Sequence, residues 1–286
     1  MNTLASMTDG RSMAKEMQPN APKPTPERIR FQGVSKSFAS RGNLMQALAP
    51  TDLTVRDNEF IALVGPSGCG KSTLLNMVAG LLPPTEGNVT YDGAPVRGPN
   101  RRVGYMTQKD TLLPWRTVAD NVALPLELRC RRSTRKEMAD RVQQMIDLVG
   151  LRGFEKHFPG EISGGMRKRV GLARTLVYEP ETLLMDEPFG ALDAQLKLLM
   201  QDELLRITAL RKMTVMFVTH DLGEAITLAD RVIVFTARPG RIRTERPITF
   251  PRPRDVFRLR FTDEFGDLHE ELWNELKDEI VRGTDN

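Results

Sequence analysis

Unbroken apolar runs recur along this chain, and their lack of alternation is the first clue to its architecture. "FIALVG" at 60–65, "TLLMD" at 182–186, "TVMFVTH" at 214–220 and "RVIVF" at 231–235 each read as a strand covered on both faces. Between these runs the apolar period lengthens to that of a helix, predicting helices over 165–178 and 193–211 and a short one before 231. Buried strands alternating with helices imply a mainly parallel sheet joined by crossover connections. In the helix predicted after "FIALVG", Leu74, Leu75, Val78 and Leu81 share one face.

Other segments have a different texture. From 28–38 onward, short β-rich runs alternate with turns, "GNVTYDGAPV" reads as a hairpin, and "RVGYMTQ" at 102–108 is a strand. The stretch from about 109 to 162 is a helical insertion. In its second helix Thr134 and Glu137 make a capping box, Met138, Val142, Met145, Ile146 and Val149 form one stripe, and Gly150 fits the stop. Residues 1–27 are polar and aperiodic, a disordered lead-in. A Pro- and Arg-rich stretch at 238–260 precedes an acidic helix with Phe265, Leu268, Leu272, Leu276 and Ile280 on one face, a stripe expected to pack back on the domain.

Composition narrows the class. With 40% hydrophobic and 27% charged residues over 286 positions, the chain can bury a real core. Its net charge of +4 comes without a basic run interleaved with aromatics, so nucleic acid is not an expected partner. No window approaches the apolar length of a membrane span, and the N-terminal stretch has no apolar signal core. Cys69 and Cys130 lack metal-ligand spacing, which fits a reducing cytoplasm.

The chemistry concentrates at loop positions. Gly65, Pro66, Ser67, Gly68, Cys69, Gly70, Lys71, Ser72 and Thr73 lie between a strand and a helix, the context of a phosphate loop. Glycines there let backbone N–H groups converge on phosphates, Lys71 adds charge, and Ser72 offers a hydroxyl to Mg²⁺. Asp186 and Glu187 end a strand, where the first suits Mg²⁺ through water and the second a general base. Gln108 and His220 also end strands; taken singly, each reads equally well as an ordinary loop amide or a structural imidazole. Ser163-Gly164-Gly165 opens a helix and offers a second anion site.

In this order, the phosphate loop, Gln108, Ser163-Gly164-Gly165, Asp186-Glu187, Ala191-Leu192-Asp193 and His220 resemble the ATP-binding cassette (ABC) ATPases, from about 28 to 236. The resemblance implies an α/β P-loop NTPase with a mainly parallel core sheet, an N-terminal antiparallel β portion and a helical subdomain at about 109–178. The ATPase domain would then span 28–240, with a C-terminal extension over 241–286. It implies ATP and Mg²⁺ as cofactors, with Phe38 stacking on adenine and Glu187, His220 and Gln108 as the catalytic set. Ser72, Gln108 and Asp186 (via water) would serve the metal. Ser163, Gly164, Gly165 and Met166 would reach ATP held by a second, head-to-tail copy of the chain, with Asp193 nearby. The sequence departs from the family's usual Leu-Ser-Gly-Gly-Gln at Ile162 and Met166.

The wording "LLPWRTV" after Gln108 resembles the importers of nitrate, sulfonate, bicarbonate and taurine. It implies a separate membrane permease docked at Leu112, Leu113 and Trp115, expected as exposed apolar groups on an otherwise polar loop, and an extracytoplasmic substrate-binding protein acting through it. The chain would sit peripherally on the cytoplasmic face of the inner membrane. The competing class is a soluble ABC ATPase of DNA repair or translation, which usually carries two cassettes or a long coiled-coil insertion. A small-molecule kinase or GTPase would have no use for the Ser-Gly-Gly helix start and His220 in this order.

Overall fold

The computed structural model describes residues 26–40, 43–109, 111–129, 134–190 and 192–284. Nearly all of the disordered lead-in expected over 1–27 lies outside the described residues, as do Cys130, Ala191 and the side chain of Ile280.

Two long strands, β1 (Glu27–Ser40) and β2 (Asn43–Arg56), pair antiparallel through several register shifts. Those irregularities are why the sequence reads as short β-rich runs broken by turns. With β4 (Glu86–Tyr91) and β5 (Ala94–Pro95) they form a sheet in the order β2-β1-β4-β5. Asp92 and Gly93 both take positive φ (47° and 75°) in the β4–β5 turn, the geometry of a tight two-residue hairpin.

The second sheet is the frame of the site. It contains β3 (Phe60–Val64), β6 (Val103–Met106), β7 (Thr182–Asp186), β8 (Thr214–Val218), β9 (Arg231–Phe235) and β10 (Ile242–Pro247), in the order β10-β9-β3-β8-β7-β6. All neighbours are parallel except β10 against β9. Side chains alternate between two cores. Ala62, Val64, Met185, Phe217 and Val234 face the larger helical core. Ile61, Leu63, Leu184, Met216 and Phe235 face the core shared with the first sheet and α1 (Lys71–Val78). That two-sided burial is the reason these runs do not alternate between apolar and polar residues.

Helix α1 is shorter than its apolar face suggests. Gly80 adopts φ 70°, its N–H donates to Met77 O at 3.0 Å, and Leu81 N–H donates to Asn76 O at 2.9 Å. This is a Schellman ending. Leu81, expected on the buried face, therefore lies past the helix and is 60% exposed.

The insertion contains α2 (Val118–Arg129) and α3 (Arg135–Leu148), and α4 (Gly164–Leu176) packs against both. The α3 capping box is formed, Val142, Ile146 and Val149 are buried, and Gly150 takes φ 65° at the stop. Past α5 (Ala194–Arg211) and α6 (Leu222–Leu228), the Pro- and Arg-rich stretch contributes strand β10, where the sequence had predicted none. The final helix α7 (Asp263–Thr284) buries Phe265, Leu272 and Leu276 against the helical core, with Leu268 partly buried beside them.

Candidate active site

The parallel strands deliver their carboxyl ends to one edge of the sheet, where open α/β sheets bind ligands. β3 runs into the phosphate loop, β6 into Gln108, β7 into Asp186 and Glu187, and β8 into His220. A cleft of about 310 Å³ opens there. Of the sequence-predicted residues, Phe38, Gly65, Ser67, Gly68, Gly70, Lys71, Ser72, Thr73, Gln108, Glu187 and His220 line it.

The loop's glycines answer to specific crowding. A Cβ on Gly65 (φ 154°) would meet the Phe235 carbonyl oxygen at 2.8 Å, and one on Gly70 (φ 99°) would press on Leu48 and the Ala47 carbonyl. Gly70 is the N-cap of α1 and supplies no side chain to cap it, so the first-turn N–H groups stay directed at an anion. Lys71 is buried and its Nζ donates to the carbonyls of Gly65 and Pro66, both at 2.7 Å, which holds the ammonium along the loop. Cys69 is fully buried beneath the loop and packs in the core.

Asp186 is buried at the end of β7 and accepts a side-chain hydrogen bond from Ser72. Burial pushes its carboxyl above the usual range, against the opposing pull of the Ser72 hydroxyl and the Lys71 and Lys168 charges. Glu187 follows with φ 48°, a left-handed conformation rare for a residue with a Cβ. Its N–H donates to Val218 O at 2.9 Å, so neighbouring β8 holds the strained backbone. The Gln108 amide donates to Glu187 Oε2 at 3.0 Å, and His220 Nδ1 lies 3.5 Å from Oε1.

The residues around this cluster hold it in place. Lys168 on α4 donates to the Gln108 carbonyl, tying the Gln108 loop to that helix. His220 is exposed, but its neighbours are fixed. Thr219 donates to buried Glu224 at 2.6 Å, and Asp221 caps α6 by accepting from Glu224 N–H at 3.1 Å.

The structure does not bring Ser163, Gly164, Gly165, Met166 or Asp193 into the lining of this cleft. Ser163 is the N-cap of α4 and accepts from Met166 N–H at 3.2 Å; its hydroxyl proton remains available to an outside acceptor. Met166 is partly buried against the helical core, and Asp193 caps α5 by accepting from Leu196 N–H at 2.9 Å. Nor are Leu112 and Leu113 the exposed pair that was expected. Both are half-buried, Leu112 against the core, and only Trp115 stands out, at 71% exposure. Asn121 shapes this loop: fully buried, it accepts from Leu113 N–H and donates to the carbonyls of Leu113, Arg116 and Thr117.

The cleft also has walls that the motifs do not mark, namely Met45, Ala47, Val218 and Arg238. Met45 faces Phe38 across the β1–β2 hairpin. Arg238 follows β9 in sequence, and the pairing of β9 with β3 brings it to the loop.

A family model described as "ABC transporter" matches residues 48–190. This chain belongs to the ABC transporter family. An uncharacterized ABC transporter ATP-binding protein of Methanocaldococcus jannaschii is 47% identical over 89% of the chain and 93% of that relative. The aliphatic sulfonates import ATP-binding protein SsuB of Bacillus cereus is 42% identical over 79% of the chain and 88% of the relative. Its Bacillus licheniformis counterpart is 44% identical over 77% and 84%. Among solved structures, a dimeric ABC transporter cassette superposes with TM-score 0.73 at 31% identity, over 78% of this chain and all of the other. The same cassette, in a dimeric post-hydrolysis state bound to ADP and phosphate, also gives 0.73, at 30% identity. The fold is thus the ABC ATPase cassette, and its activity is ATP hydrolysis coupled to transport.

Proposed function

We propose that this ABC cassette is the ATP-hydrolysing subunit of an importer for a small organic anion of the sulfonate type. Two copies act head to tail at the cytoplasmic face of the inner membrane. The naming of the SsuB relatives supports the substrate class and direction. No described helix is long and apolar enough to cross a membrane, so a separate permease supplies the path, served outside by a substrate-binding protein. Trp115 is the exposed apolar group offered to that permease.

The observation that carries the chemistry is the Glu187–Gln108–His220 cluster at the mouth of the phosphate-loop cleft. Phe38 takes the adenine face, and the loop N–H groups with Lys71 take the β- and γ-phosphates. Glu187 accepts a proton from a water attacking the γ-phosphorus; the bond to the β–γ bridging oxygen breaks and ADP leaves. Gln108 and His220 orient that water and the γ-phosphate. The open face of the γ-phosphate is covered by Ser163, Gly164 and Gly165 of the second copy, whose helix start directs N–H groups and a hydroxyl proton outward.

The residues present fit Mg²⁺. Ser72, Asp186 and Gln108 are oxygen donors, too few for an all-protein cage, which suits an ion that keeps waters and shares phosphate oxygens. Among the described residues no cluster of His, Cys, Asp and Glu could hold a metal unaided. When bound, the ion neutralises charge on the β- and γ-phosphate oxygens.

Purification from detergent-solubilised membranes tests the reading. The chain should bring down a multi-span permease, and in proteoliposomes its ATPase should rise when sulfonate-loaded binding protein is added. Recovery with nucleic acid or ribosomes and no permease would instead favour the repair or translation class.

A further inference from the structure

Arg238 lies in the connection between β9 and β10, outside every nucleotide motif of the sequence, yet it forms a wall of the cleft. Its Nε donates to Gly68 O at 3.3 Å and its Nη1 lies 3.1 Å from Met45 Sδ. Its Nη2 sits against the open face of Gly68, where a Cβ would push the guanidinium aside. The guanidinium therefore spans the gap between the phosphate loop and the Phe38–Met45 end. It is exposed, and among the described residues no carboxylate lies within ion-pair distance of it.

The backbone beneath is fixed from three directions. Gly240 N–H donates to Ala47 O and Gly240 O accepts from Ala49 N–H, both at 3.0 Å, which ties the connection to β2. Gly240 also lies so close to the Cys69 carbonyl that a Cβ would overlap it. From the C-terminal side, Glu279 of α7 is 3% exposed. Its Oε2 accepts from Ala237 N–H at 3.0 Å and its Oε1 pairs with Arg243 at 2.5 Å. A buried carboxylate on the last helix thus grips the residue next to Arg238.

We infer that Arg238 is a further nucleotide-binding residue, donating from the same chain to the phosphate chain of the bound nucleoside triphosphate, and that Glu279 is its positioning residue. A planar fork of N–H donors without a carboxylate partner, beside a phosphate loop, matches phosphate oxygens in charge and shape. The assignment rests on the nucleotide-cleft reading above. It gives the C-terminal extension a physical path to the nucleotide, from α7 through Glu279 and residues 236–240 to Arg238.

The test is titration of the full-length chain with a fluorescent ATP analogue in Mg²⁺ buffer, with unlabelled adenosine as a competitor. Arg238→Ala should weaken ATP about tenfold, the scale of one charge-assisted hydrogen bond, and leave adenosine unchanged. Arg238→Lys should fall between, keeping the charge and losing the fork. Glu279→Gln should weaken ATP in the wild-type background and add nothing in Arg238→Ala. Lys71→Ala, run in parallel, should lose ATP affinity on its own account. Unchanged affinity in Arg238→Ala beside a loss in Lys71→Ala overturns the Arg238 assignment alone; unchanged affinity in both overturns the cleft reading. An equal loss for ATP and adenosine overturns the phosphate contact. Equal Glu279→Gln effects in the two backgrounds overturn the positioning role.

Discussion

Replacing Glu187 by Gln removes one charge from the cluster and little else. The backbone at φ 48° is held by the bond to Val218 O, which does not depend on the side chain. A glutamine oxygen can still accept from Gln108, which now lies 3.0 Å from the carboxylate, and its amide can face His220. The carboxylate is partly solvated and its partners are neutral or exposed, so the fold should lose no more than about 1 kcal/mol. The rate has much further to fall. An amide cannot take the proton of the attacking water, and loss of a general base costs about 10²–10⁴-fold, or about 2.7–5.5 kcal/mol of barrier. ATP affinity should hold or rise, because a negative charge near the γ-phosphate has been removed. The assay pairs phosphate release with nucleotide titration and light scattering. The expected result is ATP binding as in the wild type, turnover nearly abolished, and a dimer that persists with ATP. A kcat within about tenfold of wild type would refute the assignment of Glu187 as base.

Asp186→Asn should raise the thermal midpoint in nucleotide- and magnesium-free buffer while abolishing hydrolysis. Burial raises this carboxyl's pKa in the folded state, so the folded chain binds its proton more tightly than the unfolded chain does. Its ionisation therefore costs stability as pH rises from the unfolded carboxyl range through the folded value. The variant's advantage should grow over that interval and vanish in acid; an advantage independent of pH would count against the cause given. Trp115→Ala should leave the ATPase of the isolated chain unchanged and reduce co-purification with the permease, a difference read by pull-down. Asn121→Ala removes the partner of the half-buried Leu113 N–H and Arg116 carbonyl, while the Leu113 and Thr117 carbonyls still accept from backbone N–H groups. It should cost about 2–3 kcal/mol in chemical denaturation, with the same loss of docking.

How much of this was legible in sequence follows from the range of the interactions. The two-sided strands, the α3 capping box and the phosphate-loop turn rest on neighbours within a few residues, so their patterns survive in the chain itself. The C-terminus of α1 was misread because Leu81 fits the helical period, while the left-handed Gly80 that ends the helix leaves only a glycine as its trace. Strand β10 was hidden because its half-exposed edge position selects no apolar run. Leu112 looked like surface because polar residues surround it, and only the packed fold shows it meeting the core. Arg238 carried no signal: its neighbour Gly68 is far away in sequence, and the two meet only when β9 closes on β3. The sequence places the motif residues Ser163 and Asp193 at helix starts, and the structure makes both of them N-caps. In the proposed reading their place opposite a nucleotide belongs to a second copy, and no pattern within one chain can encode that distance.

The central claim is that each hydrolytic site is built from two chains, and mixing two inactive variants tests it directly. Lys71→Ala removes the phosphate-loop charge and Ser163→Arg blocks the covering helix start, so each alone should form only dead sites. A mixed dimer contains one site in which an intact phosphate loop meets an intact Ser163 from the other chain. The account predicts that the mixture hydrolyses ATP when neither variant does so alone. Inactivity of the mixture despite demonstrated mixed dimers, or normal hydrolysis by monomeric Ser163→Arg, would contradict it.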